Sequence, residues 1–313
     1  LNSVIYDFKV WGIPWYTDAG ILFYRKDLLE KSGFQHPPAT WEELKTMAKK
    51  VQAESDIKYG FVFQGANYEG GVANACEFIW NAGGNILLSN LGVSGQVGDV
   101  EIEPDVVIVD SKESEAGLQE ARRLIDEGIA PAEVAEFKES ESTQAFIDGE
   151  ALFMRGWPGI YYFLKDEKSQ VKPEQVGLSS IPVSRQGAPS FSCLGGWNLM
   201  VAAHVPEEKQ EAAWTFIRHM TAPEQQKFRA SQGGILPSLS ALYDDEQLLE
   251  KAPTMALAKE VIKNTRVRPV SPNYMSFSPK ISNIYNQVLT GQIPAEYAVS
   301  YLQMELEMVA QQE

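Results

Sequence analysis

The chain has 313 residues, of which 27 are basic and 42 acidic, for a formal charge of −15. That balance excludes binding to nucleic acid or to an anionic membrane surface, both of which call for a cationic face. The 44% hydrophobic content supports a sizeable core, the length fits about two domains, and no apolar run approaches the roughly 20 residues of a membrane span.

The acidity is read as solvated surface. Cys76 and Cys193 lack Cys-x-x-Cys spacing and are expected as buried free thiols. His36, His204 and His219 are scattered, so neither a metal nor a cofactor is expected.

Gly12 and Pro14 punctuate an irregular segment at the start of the chain. Trp15, Tyr16 and Asp18 then put two rings and a carboxylate close together, and residues 21–24 read as a short buried strand. Asp27 is placed to cap a short helix over 28–32, with Gly33 as its stop. Indole and phenol rings offer flat apolar faces with a polar tip, and a carboxylate only accepts hydrogen bonds. Together they suit a ligand rich in hydroxyls. The competing reading is a Trp/Tyr pair in a core with Asp18 in a turn.

Thr40 and Glu43 form a capping box ahead of a helix whose Trp41, Leu44, Ala48 and Val51 make an apolar stripe. Residues 59–64 read as a buried strand that ends in a polar loop, followed by a helix over 72–82 stopped by Gly83 and Gly84. Asn67, Tyr68 and Glu69 thus stand at the carboxyl end of a strand, where ligands gather in open α/β sheets. Their competing role is to cap the helix, with Glu69 favoured by its dipole. Trp80 is assigned to the core. Residues 85–108 read as a hairpin or irregular excursion. A helix then opens at Asp110 and Ser111 and runs to Glu127, with Ala121, Leu124 and Ile125 inward and Gly128 as its stop. Another, over 140–148, ends at Gly149.

Residues 151–154 read as a strand whose polar exit holds Arg155 and Trp157, and Pro158 suits the first position of a helix. A tryptophan fixed between a strand end and a helix start makes a rigid stacking platform, although core placement competes. Arg155 can donate two parallel bonds to vicinal hydroxyls or pair with a carboxylate such as Asp18 or Glu69. After a strand over 176–182, Gly195 and Gly196 let the backbone approach a ligand closely, and Trp197 and Asn198 add a ring and an amide. Residues 206–220 form an amphipathic helix with Ala213, Trp214 and Ile217 inward, so Trp214 is expected in the core. A Gly/Pro loop at 233–238 and a Pro-punctuated stretch at 268–274 follow, the latter carrying Arg268 and Tyr274 as candidates. Two helices, over 279–289 and 294–311, close the chain.

These motifs resemble those of bacterial ABC-transporter extracellular sugar-binding proteins, the family 1 solute-binding proteins, and most closely their trehalose/maltose-binding branch. The run Gly-Ile-Pro-Trp-Tyr-Thr-Asp-Ala-Gly at 12–20, with Tyr-Arg-Lys-Asp-Leu-Leu at 24–29, is similar to the family segment that crosses between lobes. Pro-Pro-Ala-Thr-Trp-Glu-Glu-Leu at 37–44, the Tyr-Glu-Gly at 68–70, Met-Arg-Gly-Trp-Pro at 154–158 and Gly-Gly-Trp-Asn-Leu at 195–199 are further matches. The loop at 233–238 resembles one that lies near the family's cleft, and 268–274 resembles its third crossing. In the family roughly a hundred residues, usually behind a secretory or lipoprotein signal, precede the first of these motifs. They have no counterpart here, and the chain is expected to be a piece of a longer protein.

The resemblance, with the alternation of strands and helices, implies an α/β, two-lobe periplasmic-binding-protein (type II) fold. Residues 18–194 and 253–313 would form one nearly complete lobe, and 1–17 and 195–252 a remnant of the N-terminal lobe. It implies an extracytoplasmic protein, periplasmic or lipid-anchored, monomeric when complete. It would capture an oligosaccharide such as trehalose or maltose and deliver it to an ABC permease. Trp15, Tyr16 and Trp157 would stack on sugar. Asp18, Asn67, Glu69 and the Gly195–Gly196 backbone would bond hydroxyls, and Tyr68, Arg155, Trp197 and Tyr274 complete the candidate site. No catalytic residue is expected. The alternative is a glycoside hydrolase or transglycosylase that uses Asp18 and Glu69 as its carboxylate pair. A third reading is a piece too incomplete to grip a sugar from both sides.

Overall fold

A computed structural model describes residues 4–6, 9–89 and 105–311; residues 90–104 of the expected excursion lie outside the described residues. Strands β1 (Ile5–Tyr6) and β2 (Lys9–Val10) pair antiparallel. Then come β3 (Ile13–Ala19), β4 (Ile21–Arg25), α1 (Lys26–Lys31), α2 (Trp41–Glu54), β5 (Tyr59–Val62), α3 (Glu69–Ala82), α4 (Lys112–Asp126) and α5 (Glu139–Ile147). The second half holds β6 (Ala151–Gly156), β7 (Val176–Ser179), β8 (Ser192–Leu199), α6 (Glu207–Thr221), α7 (Pro223–Gly233), α8 (Glu246–Lys251), α9 (Pro253–Val261), β9 (Thr265–Arg266), α10 (Tyr274–Leu289) and α11 (Ala295–Ala310).

Two sheets carry the site. One has the order β5-β6-β4-β7, with β6 parallel to β5 and β4 antiparallel to both its neighbours. The other has the order β3-β8-β9, with β8 antiparallel to β3 and parallel to β9. The chain passes from the second sheet to the first at Gly20, the single residue between β3 and β4. A Cβ there would lie 2.0 Å from Glu77 Oε1, so only glycine lets the crossing pack this tightly.

The four-stranded sheet is covered on both faces. On β4, the period of two sends Leu22 to one face and Ile21 and Phe23 to the other. Leu22 and Phe153 join the large cluster formed with α2, α3, α4, α10 and α11, where Trp41 stacks on Phe78 at 4.9 Å. Ile21, Phe23 and Met154 pack with Phe146, Ile160 and Leu164. A third, smaller cluster joins Ala230, Leu236, Leu248, Met255 and Ala258 around α7 to α9. Apolar layers on both faces of a mixed sheet give the expected α/β class.

Several local expectations are corrected. Thr40 accepts from the Glu43 N–H at 3.2 Å, but the Glu43 carboxylate accepts from the Ala39 N–H, one residue before the expected partner. Asp27 is not the cap of α1; Arg25 holds that position, and Asp27 takes its guanidinium through two bonds of 2.9 and 2.6 Å. Helix α3 begins at Glu69, three residues early. Helix α10 begins at Tyr274 with Pro279 inside it, which removes the bond that an N–H there would make to the Met275 carbonyl. Trp214 is not core: it is 43% exposed and Phe216 is 55% exposed. Helix α6 packs on β3 and α7 and buries Ile217, so its apolar arc is wider than the surface it faces. Trp80 is buried as expected.

Residues 13–19 are a strand rather than an irregular segment, and the irregularity is a bulge within it. Pro14 faces Asn198 and Tyr16 faces Trp197, which leaves Trp15 as the extra residue. Opposite the bulge, Gly196 has φ +116°, and a Cβ on it would lie 2.4 Å from the Tyr16 carbonyl oxygen and 2.8 Å from Thr17 Cα. Gly196→Ala is therefore expected to cost at least about 2 kcal/mol, through backbone strain and overlap together. Urea denaturation checks this, and a midpoint unchanged from the parent would contradict it.

Candidate functional site

A bulge re-aims side chains. Here it sets Trp15 and Tyr16 side by side, with ring centroids 5.3 Å apart and planes at 70°, although neighbours on a regular strand point to opposite faces. Both rings and Asp18 line a cleft of about 530 Å³. The 3-10 segment Pro158–Lys165 contributes Gly159, Tyr162 and Phe163. Helix α7 and the loop after it contribute Phe228, Arg229, Gln232, Gly233 and Ile235. Apolar and aromatic walls with a few polar groups are the usual make-up of a small-molecule site.

Arg229 ties α7 to the bulge. One guanidinium nitrogen donates to the Trp15 carbonyl at 3.3 Å and the Met220 carbonyl at 2.8 Å, and the group lies 5.1 Å from the Trp15 ring centroid. Trp15 Nε1 and Arg229 Nη1 are buried donors without a hydrogen-bond partner in the protein. Buried donors are normally satisfied, and these two belong to residues that line the cleft.

Asp18 sits opposite Gly195 on the paired strands. A Cβ on Gly195 would lie 2.9 Å from Trp157 Cζ3 and 3.0 Å from Asp18 Cβ, so glycine is what lets the carboxylate and the indole converge. Burial pushes the Asp18 carboxyl up to about 7, against the opposing pull of the Ala19 N–H and the Arg155 charge. Near neutrality it exchanges a proton readily.

Trp157 follows β6 and is held from several sides. The Arg155 guanidinium lies 4.0 Å from its ring centroid, and its Nε1 donates to Glu139 Oε1 at 3.3 Å. The other Glu139 oxygen accepts from the Tyr68 hydroxyl at 2.6 Å. Burial, then this hydrogen bond to Glu139, pushes the Tyr68 phenol further above its ordinary value.

Arg155 does not face the cleft. It is 2% exposed, donating to both Glu77 oxygens at 2.9 and 2.8 Å and to Gln64 Oε1 at 3.2 Å. Its carboxylate partner is Glu77, not Asp18 or Glu69, and enclosure corrects the expected hydroxyl contact: Arg155 supports the back of Trp157 instead.

Of the expected site residues, Trp15, Tyr16 and Asp18 line the cleft; Trp157, Gly195, Gly196 and Trp197 lie outside its lining, as do Asn67, Tyr68, Glu69 and Tyr274, which build a polar rim at the starts of α3 and α10. Glu69 pairs with Arg268 at 2.8 Å and accepts from the Tyr274 and Ser278 hydroxyls. Asn67 accepts from Ser282 at 2.7 Å and donates to Asn283 at 3.2 Å. Trp197 stands across the strands from Tyr16 and is 67% exposed.

Tyr162, Phe163, Phe228, Arg229, Gln232 and Glu139 escape a reading by motif. The aromatic run at 161–163 after Pro158 was the available signal. Phe228 and Arg229 sit in a helix whose polar composition reads as a solvated face. Gly233 and Ile235 belong to the loop that the family resemblance places near a cleft.

Cys76 and Cys193 are buried free thiols; burial pushes Cys193 up to about 11 and Cys76 well above its ordinary value. Among the described residues no cluster of His, Cys, Asp or Glu could hold a metal ion, and no helix is long and apolar enough to cross a membrane.

Against known proteins, the family model described as "bacterial extracellular solute-binding protein" matches residues 1–256. A probable ABC transporter-binding protein of Deinococcus radiodurans is 34% identical over 305 residues, covering 95% of this chain and 68% of the relative. A mannitol-binding protein of Pseudomonas aeruginosa is 22% identical over 322 residues, covering 94% and 68%. The solved structure of maltose-bound T. maritima MalE3 superposes with a TM-score of 0.88 at 35% identity, over 98% of this chain and 74% of that one. The GacH receptor of Streptomyces glaucescens shares the fold, with a TM-score of 0.83 at 20% identity over 99% and 74%.

Proposed function

We propose a function from one premise: the chain belongs to the family of bacterial extracellular solute-binding proteins. It has the α/β periplasmic-binding-protein fold of MalE-like sugar-binding proteins. The cleft captures an oligosaccharide, an α-glucoside disaccharide such as maltose or trehalose, and the protein hands it to an ABC permease outside the cytoplasm. It does so as a binder without chemistry of its own. Residues 18–194 and 253–313 act as one lobe, and 1–17 and 195–252 as part of the other.

The observation that carries this reading is the ring of Trp15, Tyr16, Tyr162, Phe163 and Phe228 around Asp18 and Arg229. Flat rings match the C–H faces of pyranose sugars and leave the hydroxyls to the polar edge. The Asp18 carboxylate accepts hydrogen bonds from ligand hydroxyls, while the Gln232 side chain, also in the lining, offers both a donor and an acceptor. The maltose named for MalE3 supports a disaccharide. The mannitol named for the Pseudomonas relative, at lower identity, keeps polyols as the competing ligand class. Hydrolysis by Asp18 with Glu69 gains nothing from the geometry, because Glu69 is occupied by Arg268, Tyr274 and Ser278 and is not in the cleft lining.

Calorimetric titration with maltose, trehalose and mannitol tests the proposal. Binding of a disaccharide is expected, weakened about tenfold or more in Trp15→Ala through loss of a stacking ring of the cleft lining. Heat with mannitol alone would replace the ligand class, and absence of heat with all three would overturn the reading.

A further inference from the structure

We propose that Glu139 is a positioning residue for ligand capture: its carboxylate joins the Trp157 indole, which meets Asp18 across Gly195 at the edge of the cleft, to the Tyr68 phenol of the rim. The proposal deepens the sugar reading of the cleft and rests on it.

Glu139 is the first residue of α5. A carboxylate there ordinarily serves the helix end, but here that duty falls to Glu141, which accepts from the Lys138 N–H at 2.9 Å and from the Ser140 hydroxyl. Both Glu139 oxygens are directed elsewhere. One takes the single donor of Trp157 at 3.3 Å and the other the single donor of Tyr68 at 2.6 Å. Three separate elements thereby meet on one carboxylate: the start of α3, the start of α5 and the exit of β6. Hydrogen bonds to an ionised acceptor are the stronger and more directional kind.

The other contacts of the two rings show what this carboxylate adds. Arg155, itself fixed by Glu77 and Gln64, lies against one face of Trp157. The ring's Cζ3 edge lies over Gly195. The Arg155 contact to the ring face does not distinguish the indole from its flipped form; the Cζ3 edge over Gly195 and the bond from Nε1 to Glu139 do, and only the second is a hydrogen bond. On the Tyr68 side, the Lys138 ammonium lies 5.4 Å from the ring centroid, and the phenol folds back over Gly70. A stacking surface already held in one orientation does not have to be ordered when ligand arrives, and this raises affinity without any new contact.

The test compares Glu139→Ala with Glu139→Gln, whose amide oxygen still accepts from the indole. Each is titrated with maltose and trehalose. Each is also paired with its Trp157→Phe derivative, so that subtraction of near-ultraviolet circular dichroism spectra isolates the Trp157 band. We expect Glu139→Ala to bind about tenfold more weakly and to lose the fine structure of that band. Glu139→Gln should keep the band and stay within about threefold of the parent. An intact band in Glu139→Ala, parent-like affinity in Glu139→Ala, or a Glu139→Gln variant that fails as badly as Glu139→Ala overturns the proposal. Should the parent bind neither sugar while the Trp157 band still follows Glu139, the sugar reading falls and the positioning stands.

Discussion

Glu77→Ala is expected to destabilise the protein by about 3–5 kcal/mol, the cost of removing one partner from a buried ion pair. Glu77 and Arg155 are each 2% exposed. Without the Glu77 carboxylate, Arg155 keeps the Gln64 amide oxygen as a hydrogen-bond acceptor but no carboxylate bonded to its buried charge. The Cys193 N–H, which donates to Glu77 Oε1 at 2.9 Å, loses its acceptor as well. The damage centres on the place where the chain changes sheets, since Gly20 packs against this same carboxylate. It also reaches the stacking wall, because Arg155 backs Trp157. Urea denaturation followed by tryptophan fluorescence measures the loss, and a value below about 1 kcal/mol would contradict the account. Glu77→Leu combined with Arg155→Met is expected to recover much of it, since an apolar replacement of both charges avoids the desolvation cost.

Asp18→Asn is expected to abolish detectable sugar binding and at the same time to stabilise the empty protein in alkaline solution. The two effects share a cause. Burial disfavours the charge of the Asp18 carboxyl and pushes it from its ordinary value of 3.8 up to about 7 in the fold. The folded form therefore holds the proton more strongly. The resulting stability is fully present below about pH 4 and is lost as pH rises through 7. At pH 8 the ionised, buried carboxylate burdens the native state by a few kcal/mol, and asparagine removes that burden. The difference in Tm between parent and variant should accordingly widen from pH 5 to pH 8; a constant difference would rule this out. The parent's affinity should move the other way. Ligand hydroxyls need the ionised form, so binding should strengthen as pH rises towards 7, by up to about tenfold per pH unit, with release of a proton. Titration in buffers of different ionisation enthalpy detects that proton.

The elements whose signals are local were legible in the sequence. The apolar stripe of Trp41, Leu44, Ala48 and Val51, the Ser111 cap and the glycine stops at 83, 128 and 149 all act within a few residues, and each is found where local chemistry puts it. Trp15, Tyr16 and Asp18 could be singled out because their composition alone is unusual for one short stretch. What made them a cleft was not legible. The bulge depends on the register between β3 and β8, set by residues more than 180 positions away. The misassignment of Arg155 has the same origin. Its partner Glu77 lies 78 residues distant in a helix that reads as apolar, and nothing local says which of several carboxylates will arrive. Trp214 failed for a different reason: periodicity gives the width of an apolar arc, not the amount of protein available to cover it.

The two thiols convert the crossing into something that can be timed. Cys76 and Cys193 are fully enclosed, and burial raises both well above the range in which thiolate forms at neutral pH. Cys193 donates its backbone N–H to the same carboxylate that braces Gly20. An alkylating reagent can attack only molecules in which the seam between the two sheets has come apart, since the thiolate is the reactive species. The rate of alkylation, followed by mass, is therefore a clock for opening at that seam in the otherwise native protein. The sequence supplies this clock with no engineered label, and ligand that tightens the seam slows it.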